Sequence, residues 1–600
     1  MDIALVGEGP ALEAVESALQ DLDVNAFPAE PEQLDGFDTA AVIGTTGDRI
    51  FEIADSTLSQ WVSVEVGGLG GHAVPDIDAS VTVFDDICYE CLAHRVRAGR
   101  TETGGEPSGV RSTVRYAGAV AGRRIVQSLT GEPVSDTVTE VPGHQRAVLP
   151  VPHCGCAGTR DRTISLEYRS VDLEEALGAG EQAIDDRMGP LVEVGEQESF
   201  PVPYYVAATA ETDEFSDVRA APFAGGADID WNAAFMKAIG EGLERYAAGT
   251  YRETEFTRAP TGDLPDPVAP SRFVTPDEWN HSSPSSGAGA NSEAGAESGT
   301  TSTATFDDSA ELPWVNGIDA RSGATVQLPA EFVQYPPPER RFKPAITTGL
   351  GLGSSTVAAA LSGLYEVIER DATMISWYST FEPLGLAIDD DRFEALTKRA
   401  RGEGLSVTPI LLTVDVDVPV VAVSVSRDGG DSPVAGGSHS GDDWPRFAAG
   451  SGASLNPAVA ARSALSEALQ NWIELRAMGP DQAAEEGGAI GHHADLPTET
   501  REFFDPDRVI PAAGLGAAEI EGREELDALI DRVVSAGLDP YLARVTTRDV
   551  SALGFEAVRA VVPLAQPLFT GEPFFGSRAS DVPESMGFEP QLDRSYHPFP

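Results

Sequence analysis

Apolar and polar positions follow two different patterns along the chain. Over residues 1–80, short runs rich in β-branched and aliphatic residues, at 3–6, 39–43 and 61–66, predict strands. A stretch with apolar residues at helical spacing, 11–22, separates the first two runs and predicts a helix. Strands that alternate with helices favour an α/β domain built on a parallel sheet.

The second half contains three alanine-rich stretches with helical spacing, within 237–246, 349–377 and 458–476, and glycines precede the first two. Acidic residues three apart recur in these stretches, and residues at that spacing share one face of a helix. The polar residues are Lys237, Glu241, Glu244 and Arg245 in the first stretch, Glu366, Glu369 and Arg370 in the second, and Arg462, Glu467 and Gln470 in the third.

Paired carboxylates on a partly apolar helix indicate a particular chemistry. Leu364, Val367 and Ile368 flank the second acidic pair, so this helix is expected to be partly buried. Carboxylates held close together in a dry setting repel each other unless a cation or protons intervene. Without His or Cys they suit Mg2+ that is shared with substrate phosphates. The alternative is solvated surface glutamates, but three such helices in one chain favour a site.

The charge balance is extreme, because 41 basic and 96 acidic residues give a net charge of −55. The acidic residues are spread along the chain, which is typical of a surface adapted to high salt. Nucleic-acid binding through a broad basic patch is excluded by this balance. Neither a signal peptide nor a membrane-spanning run is evident, so a cytoplasmic, high-salt setting is expected.

Every cysteine of the chain falls into one of two close pairs. Cys88 and Cys91 form a C-x-x-C pair, and Cys154 and Cys156 form a C-x-C pair. Four thiolates close a tetrahedral structural zinc site. A redox-active C-x-x-C would leave the second pair unexplained. A zinc-binding region over 81–165 is therefore predicted, with His94 and His153 as substitute ligands.

A biased segment, 281–309, consists of Ser, Gly, Ala, Thr and Glu with few apolar residues. Such a composition buries too little surface to offset the entropy of ordering, so a disordered insertion is expected.

The three acidic helices resemble the signature helices of the YcaO family. The matching segments are GLERYAAG (242–249), LYEVIERDA (364–372) and ALSEALQ (464–470), with LPAEFV (328–333), VRAVVP (558–563) and the closing HPFP (597–600). The resemblance covers about 190–600. It implies an α+β domain over 191–600, entered through a connector at 166–190, that uses ATP to activate backbone amides of peptides.

Residue by residue, the resemblance implies a nucleotide site, although the acidic residue expected near Val357 and Ala358 is missing. The five glutamates, Glu241, Glu244, Glu366, Glu369 and Glu467, would hold Mg2+ against the ATP phosphates. Contacts to the nucleotide would come from Lys237, Arg245, Arg370, Arg462 and Gln470. In azoline-forming members the proline-rich terminus is catalytic, which implicates Pro598 and Pro600. Lys237 stands where a small Ser is usual, and Thr348 where Asn is common.

The first half resembles the zinc-bearing partner domain of azole-forming machinery, which is similar to ubiquitin-activating enzymes. In that arrangement 1–80 is a partial Rossmann-like region and the four cysteines bind structural zinc. The whole chain is then similar to fused, SagD-like cyclodehydratases of thiazole/oxazole-modified peptide biosynthesis, of a haloarchaeal type. A ribosomally made precursor peptide, a leader-binding or oxidase partner protein and a homodimer are implied partners. A non-catalytic scaffold, or an accessory protein for thioamide formation or methylthiolation, are the alternatives.

Overall fold

The computed structural model describes residues 2–20, 24–132, 134, 136–276, 309–427, 444–486, 489–516 and 520–599. The predicted insertion, apart from its last residue, and Pro600 lie outside the described residues. Within these ranges, no helix combines the length and apolarity that crossing a bilayer requires.

The first part of the chain forms one mixed seven-stranded sheet of order β2-β1-β3-β4-β7-β8-β9. Its strands are β1 (Asp2–Val6), β2 (Asn25–Pro28), β3 (Thr39–Thr45), β4 (Trp61–Val66), β7 (Ala79–Phe84), β8 (Thr137–Val141) and β9 (His144–Ala147), with a small hairpin of β5 (Gly68–Leu69) and β6 (His72–Ala73). The helices are α1 (Pro10–Leu19), α2 (Ile50–Thr57), α3 (Tyr89–Ala98) and α4 (Arg111–Leu129).

The three predicted strands and the first helix are confirmed at β1, β3, β4 and α1. The expected parallel sheet extends over the first four strands of that order only, because β7, β8 and β9 join it antiparallel. The domain boundary expected at residue 80 falls inside β7, so the sheet continues beyond it.

Both faces of this sheet are buried, which explains its nearly continuous apolar runs. Ile3 and Leu5 point into a core shared with α1 and α4, whereas Ala4 and Val6 point into the opposite core. That second core holds Phe51 and Trp61 and continues into the rest of the molecule.

The second part of the chain contains three further sheets. The first is β10 (Leu191–Glu198), β11 (Tyr204–Thr209) and β12 (Phe223–Ala227). The second comprises β13 (Thr257–Ala259), β14 (Leu312–Asp319), β15 (Thr325–Pro329), β16 (Leu350–Gly353), β22 (Tyr541–Arg544) and β23 (Glu556–Val561). The third comprises β17 (Leu384–Ala387), β18 (Ser406–Leu411), β19 (Val420–Ser426), β20 (Phe447–Ala453) and β21 (Val509–Pro511).

Each of these sheets carries one long helix, α6 (Trp231–Ala248), α8 (Thr356–Trp377) or α10 (Pro457–Glu486), and α10 is kinked at Gly479. The other helices are α5 (Leu173–Gly180), α7 (Ala330–Val333), α9 (Asp391–Gly402), α11 (Ala489–His493), α12 (Thr498–Phe503), α13 (Arg523–Ser535), α14 (Arg548–Ala552) and α15 (Arg578–Met586).

The glycines that precede the signature helices let each helix lie directly on its strand. A Cβ atom at Gly226 would lie 2.2 Å from the backbone nitrogen of Ala238, and one at Gly351 would lie 2.1 Å from the carbonyl oxygen of Ala359. Side chains larger than hydrogen are therefore excluded at both positions. The same approach brings the polar faces of the helices towards one another.

Candidate nucleotide and metal site

Helices α6, α8 and α10 bring the predicted carboxylates together. Ser451 of β20 links two of them, because its hydroxyl donates to Glu369 Oε1 at 2.6 Å and its backbone N–H donates to Glu467 Oε2 at 2.6 Å. Glu241, Glu244 and Glu467 line a cavity of about 630 Å³. Residues more than 200 positions apart in sequence thus meet at one site.

The shifted pKa values of these acids show how closely they are packed. Burial raises the pKa of Glu241, and burial together with the nearby Glu366 carboxylate raises the pKa of Glu244 far above its usual value. Burial also raises the pKa of Glu369 to about 7 and, with the Glu369 charge, that of Glu467 to about 8. Such a group of carboxylates becomes fully charged most readily when a cation is present.

Two arginines accompany the carboxylates. Arg370 lies 3.1 Å from Glu366 Oε1 and donates to Thr348 Oγ1 at 3.2 Å. Burial acts to lower the pKa of Arg370, but the surrounding glutamates outweigh burial and raise it. Arg245 pairs with Glu241 and donates to the carbonyl of Phe223 at 2.7 Å. The Arg370 guanidinium therefore stays charged next to the carboxylates.

The other three predicted nucleotide contacts are engaged with protein groups. The Lys237 ammonium lines the cavity and pairs with Asp228 at 2.7 Å. Gln470 also lines the cavity and donates to Glu474 Oε1 at 3.0 Å. Arg462 pairs with Asp390 at 2.8 Å, just ahead of α9.

The chain end runs through the interior towards this site. His597, Pro598 and Phe599 are buried, and His597 Nε2 lies 2.7 Å from the carbonyl of Phe569. Burial, together with the Arg370 charge, lowers the pKa of His597 to about 4, so the tail lies near that arginine. Pro600 lies outside the described residues.

Arg559 is a basic residue that the sequence reasoning did not assign, although it lies in the VRAVVP segment. It donates to the carbonyls of Thr347 and Ile346 at 2.7 and 2.8 Å. Burial lowers its pKa to about 10, against the opposing effect of Glu366 and Glu244. Its guanidinium thus lies within electrostatic reach of the carboxylate cluster.

Lys343 was also missed, and the signal available was that it is one of three lysines in the chain. The Glu331 carboxylate accepts the backbone N–H groups of residues 341–343, which fixes the loop. The ammonium lies 5.4 Å from the centre of the Phe332 ring, and it lines a cavity of about 50 Å³ with Arg559 and Thr348. Burial, with Arg559 nearby, lowers the Lys343 pKa to about 8.

The four cysteines form a second cluster, at the start of α3 and in the loop after β9. Their sulfur atoms all lie within 4.8 Å of one another, and all four thiols are free. Cys88 and Cys154 are 3.1 Å apart, and Cys91 and Cys156 are 3.5 Å apart. Sulfur ligands about 2.3 Å from a tetrahedral zinc lie at comparable separations, so the donor set fits zinc. His153 Nδ1 instead contacts Glu255 at 2.7 Å.

A sequence profile described as "YcaO cyclodehydratase, ATP- and Mg2+-binding" matches residues 225–566, which is more than half of the chain. The chain belongs to the YcaO family. The match includes the carboxylate cluster from all three signature helices, together with Lys343 and Arg559. The resemblance drawn from the sequence is thereby confirmed at the level of the family.

Two relatives of this YcaO chain align with less than half of it. An uncharacterized protein of Methanothermobacter thermautotrophicus is 27% identical over 273 residues, covering 42% of this chain and 65% of the relative. An uncharacterized protein from the tfuA 3′ region of Rhizobium leguminosarum bv. trifolii is 25% identical over 266 residues, covering 42% and 60%. The chain thus spans less than two thirds of these relatives.

Two solved structures share the fold of the YcaO chain over almost its whole length. A heterocyclase in complex with substrate and cofactor matches 100% of this chain and 85% of that chain, with TM-score 0.70 and 18% identity. The heterocyclase TruD matches 98% and 82%, with TM-score 0.64 and 17% identity. At such identities the likeness shows the fold, and it includes the first sheet as well as the YcaO region.

Proposed function

We propose that this YcaO protein uses ATP and Mg2+ to activate backbone amides of a ribosomally made peptide, converting Cys, Ser or Thr residues to azolines. The observation that carries the proposal is the convergence of five glutamates and two partly buried arginines, with three of the glutamates lining a cavity of about 630 Å³. Phosphoryl transfer needs little more from a protein than positioning and charge of this kind.

The five glutamates, Glu241, Glu244, Glu366, Glu369 and Glu467, would hold Mg2+. When bound, Mg2+ would neutralise the charge that develops on the transferred phosphoryl group. Arg245 and Arg370 would contact the phosphates, with Lys237 and Gln470 at the rim. For Arg462 to join them, it would have to leave Asp390, which makes it the weakest member of the set.

In the reaction, the side-chain thiol or hydroxyl of the peptide gives up its proton to water and its sulfur or oxygen attacks the preceding carbonyl carbon, and the C=O π bond opens to an oxyanion. That oxygen takes the γ-phosphoryl group from ATP, and ADP leaves. Loss of phosphate and of the amide proton then leaves the C=N bond of the azoline. Arg370 would stabilise the oxyanion and its phosphate ester, since buried donors act strongly on developing charge. The terminal Pro598 and Pro600 would lie against the reacting amide.

We further propose that Cys88, Cys91, Cys154 and Cys156 hold a structural zinc ion. The first domain would then dock the precursor peptide, together with a leader-binding or oxidase partner, and a homodimer is the proposed assembly. The fused zinc domain and the buried proline-containing tail support azoline formation over thioamide formation.

A non-catalytic scaffold is the second candidate, and the pairing of Lys237, which lines the cavity, with Asp228 favours it. In a scaffold the acidic helices would not hydrolyse ATP. The enzyme hypothesis and the scaffold hypothesis predict different effects of a single substitution on ATP turnover.

The deciding experiment measures phosphate release from ATP in molar KCl with Mg2+, with candidate peptides encoded beside the gene added in turn. Glu366→Gln keeps the side-chain shape but removes the charge, so turnover should fall at least about 100-fold. Glu394→Gln is the matched control, because Glu394 lies exposed on α9 paired with Lys398. Loss of one water from the peptide, detected by mass spectrometry, would identify azoline formation. Equal ATP turnover in Glu366→Gln and Glu394→Gln would refute catalysis by the carboxylate cluster.

A further inference from the structure

A fully buried polar network joins the two domains. Arg95 of α3 contacts Asp549 of α14 at 2.5 Å, and both side chains are at most 1% exposed. Tyr246 of α6 donates its hydroxyl to the same Asp549 oxygen at 2.6 Å and accepts from Arg95 at 3.2 Å. Burial raises the pKa of Tyr246, so the hydroxyl stays protonated as the donor. These three residues are called the Arg95–Asp549–Tyr246 network.

On one side the network begins at the cysteine cluster. Arg95 follows Cys91 by one helical turn, and it donates to the carbonyls of Leu149 and Pro150, which lead into the segment of Cys154. Arg548, next to Asp549, donates to Cys156 Sγ at 3.4 Å. Helix α14 is thus bonded directly to Cys156 and, through Arg95, to the helix that carries Cys91.

On the other side the network ends at the carboxylate cluster. Tyr246 directly follows Arg245 and lies two residues after Glu244 on α6. The C-terminal end of this helix is held a second time, because Arg160 donates to the carbonyls of Ala247 and Thr250, and also to that of Val545 ahead of α14. A shift of α14 would therefore move the acidic face of α6.

Buried ion pairs contribute little net stability, because desolvation of the charges offsets their attraction. They do fix register, since a misplaced partner leaves a buried charge unpaired. Here the register is that of α6, which supplies two of the five glutamates.

We propose that the Arg95–Asp549–Tyr246 network positions α6, so that an intact cysteine cluster is needed for the site to bind Mg2+–nucleotide with full affinity. The inference rests on the proposed function for the identity of that ligand. It makes Arg95, Asp549 and Tyr246 positioning residues, which touch neither nucleotide nor peptide.

The first test compares nucleotide binding in Tyr246→Phe and Arg146→Gln. Tyr246→Phe keeps the ring and the Arg95–Asp549 pair but removes the hydrogen bonds that tie α6 to that pair. Arg146 ties the first sheet to the connector through Glu140, Asp185 and Asp186, and serves as the matched control. Calorimetry with Mg2+ and a non-hydrolysable ATP analogue in molar KCl should show about 10-fold weaker binding for Tyr246→Phe, in the range of other supporting contacts. The control should lower Tm and leave Kd unchanged.

The second test asks whether the cysteines act through the network. Cys156→Ser, which alters the exposed cysteine, is combined with Tyr246→Phe in a double-mutant cycle on nucleotide Kd. Each single variant should weaken binding, and the double variant should be little worse than either. Additive effects, or an unchanged Kd in Tyr246→Phe, would overturn the inference while leaving the proposed function intact. A wild-type protein that binds no Mg2+–nucleotide would overturn both.

Discussion

The cysteine cluster and the carboxylate cluster are built in opposite ways. The four sulfur atoms lie within 4.8 Å of one another and come from two short segments. The carboxylates come from three long helices, and three of them line a cavity of about 630 Å³. Four thiolates fill a tetrahedral coordination shell, which suits a structural ion, whereas an acidic cluster beside open space leaves room for a substrate. The same chain thus holds one closed and one open site.

The largest effect that would test the contrast is expected from Glu244→Gln. Its carboxylate is buried against other acids, so loss of the charge removes a proposed Mg2+ ligand. We expect kcat/KM for ATP to fall by at least about 100-fold, as for other groups that stabilise transferred charge. Steady-state phosphate release measures this, with Glu394→Gln as the surface control. An active Glu244→Gln variant would show that the open cluster holds no catalytic metal.

A smaller effect is expected from removing the contacts that anchor the segment just before His597. Arg594 lies 3.8 Å from the centre of the Trp377 ring and pairs with Glu499, which anchors the chain just before His597. Arg594→Ala should lower kcat by about 10-fold through misplacement of the tail, because small errors in positioning are costly. Nucleotide Kd should be unchanged. Arg523→Ala, which removes an exposed i,i+4 pair, provides the control.

Removal of metal from the closed cluster should lower the stability of the protein as well as its affinity for nucleotide. After chelation, metal analysis should show the loss of about one zinc ion per chain, as four cysteines form one tetrahedral site. Tm should fall, and the far-ultraviolet circular dichroism should persist, because the sheet around α3 has its own cores. Full activity and unchanged Tm without zinc would contradict a structural role.

The smallest effect concerns the pH dependence of the metal-free protein. The folded pKa values of Glu369 and Glu467 are raised to about 7 and about 8, above the ordinary 4.5. A raised carboxyl pKa contributes stability that is fully present below about 4.5 and is lost as pH rises through 7–8. Tm should therefore fall by a few degrees between pH 6 and 9, about the response to 1 kcal/mol. Saturating Mg2+ should reduce this slope, and an unchanged slope would argue against carboxylate coordination.

The candidate ligands could be located in the sequence because their signals are local. The C-x-x-C and C-x-C pairs and the i,i+3 glutamates are patterns within a few residues, and apolar runs identified β1, β3 and β4. Other features were not accessible in this way. Helix α5, in the expected connector, lines the large cavity through Leu173 and Ala176, and nothing in its sequence indicates that. The antiparallel half of the first sheet was missed because strand direction depends on connections between elements.

By itself, the sequence determined the two kinds of donor and the family, since periodicity, spacing and residue chemistry are written within single segments. The tertiary structure decided which segments meet. It paired Arg462 with Asp390, brought Lys343 and Arg559 to one cavity, and joined Arg95 to Asp549 across 454 positions. These contacts depend on the packing of whole sheets and helices, and buried charges find partners only once that packing exists.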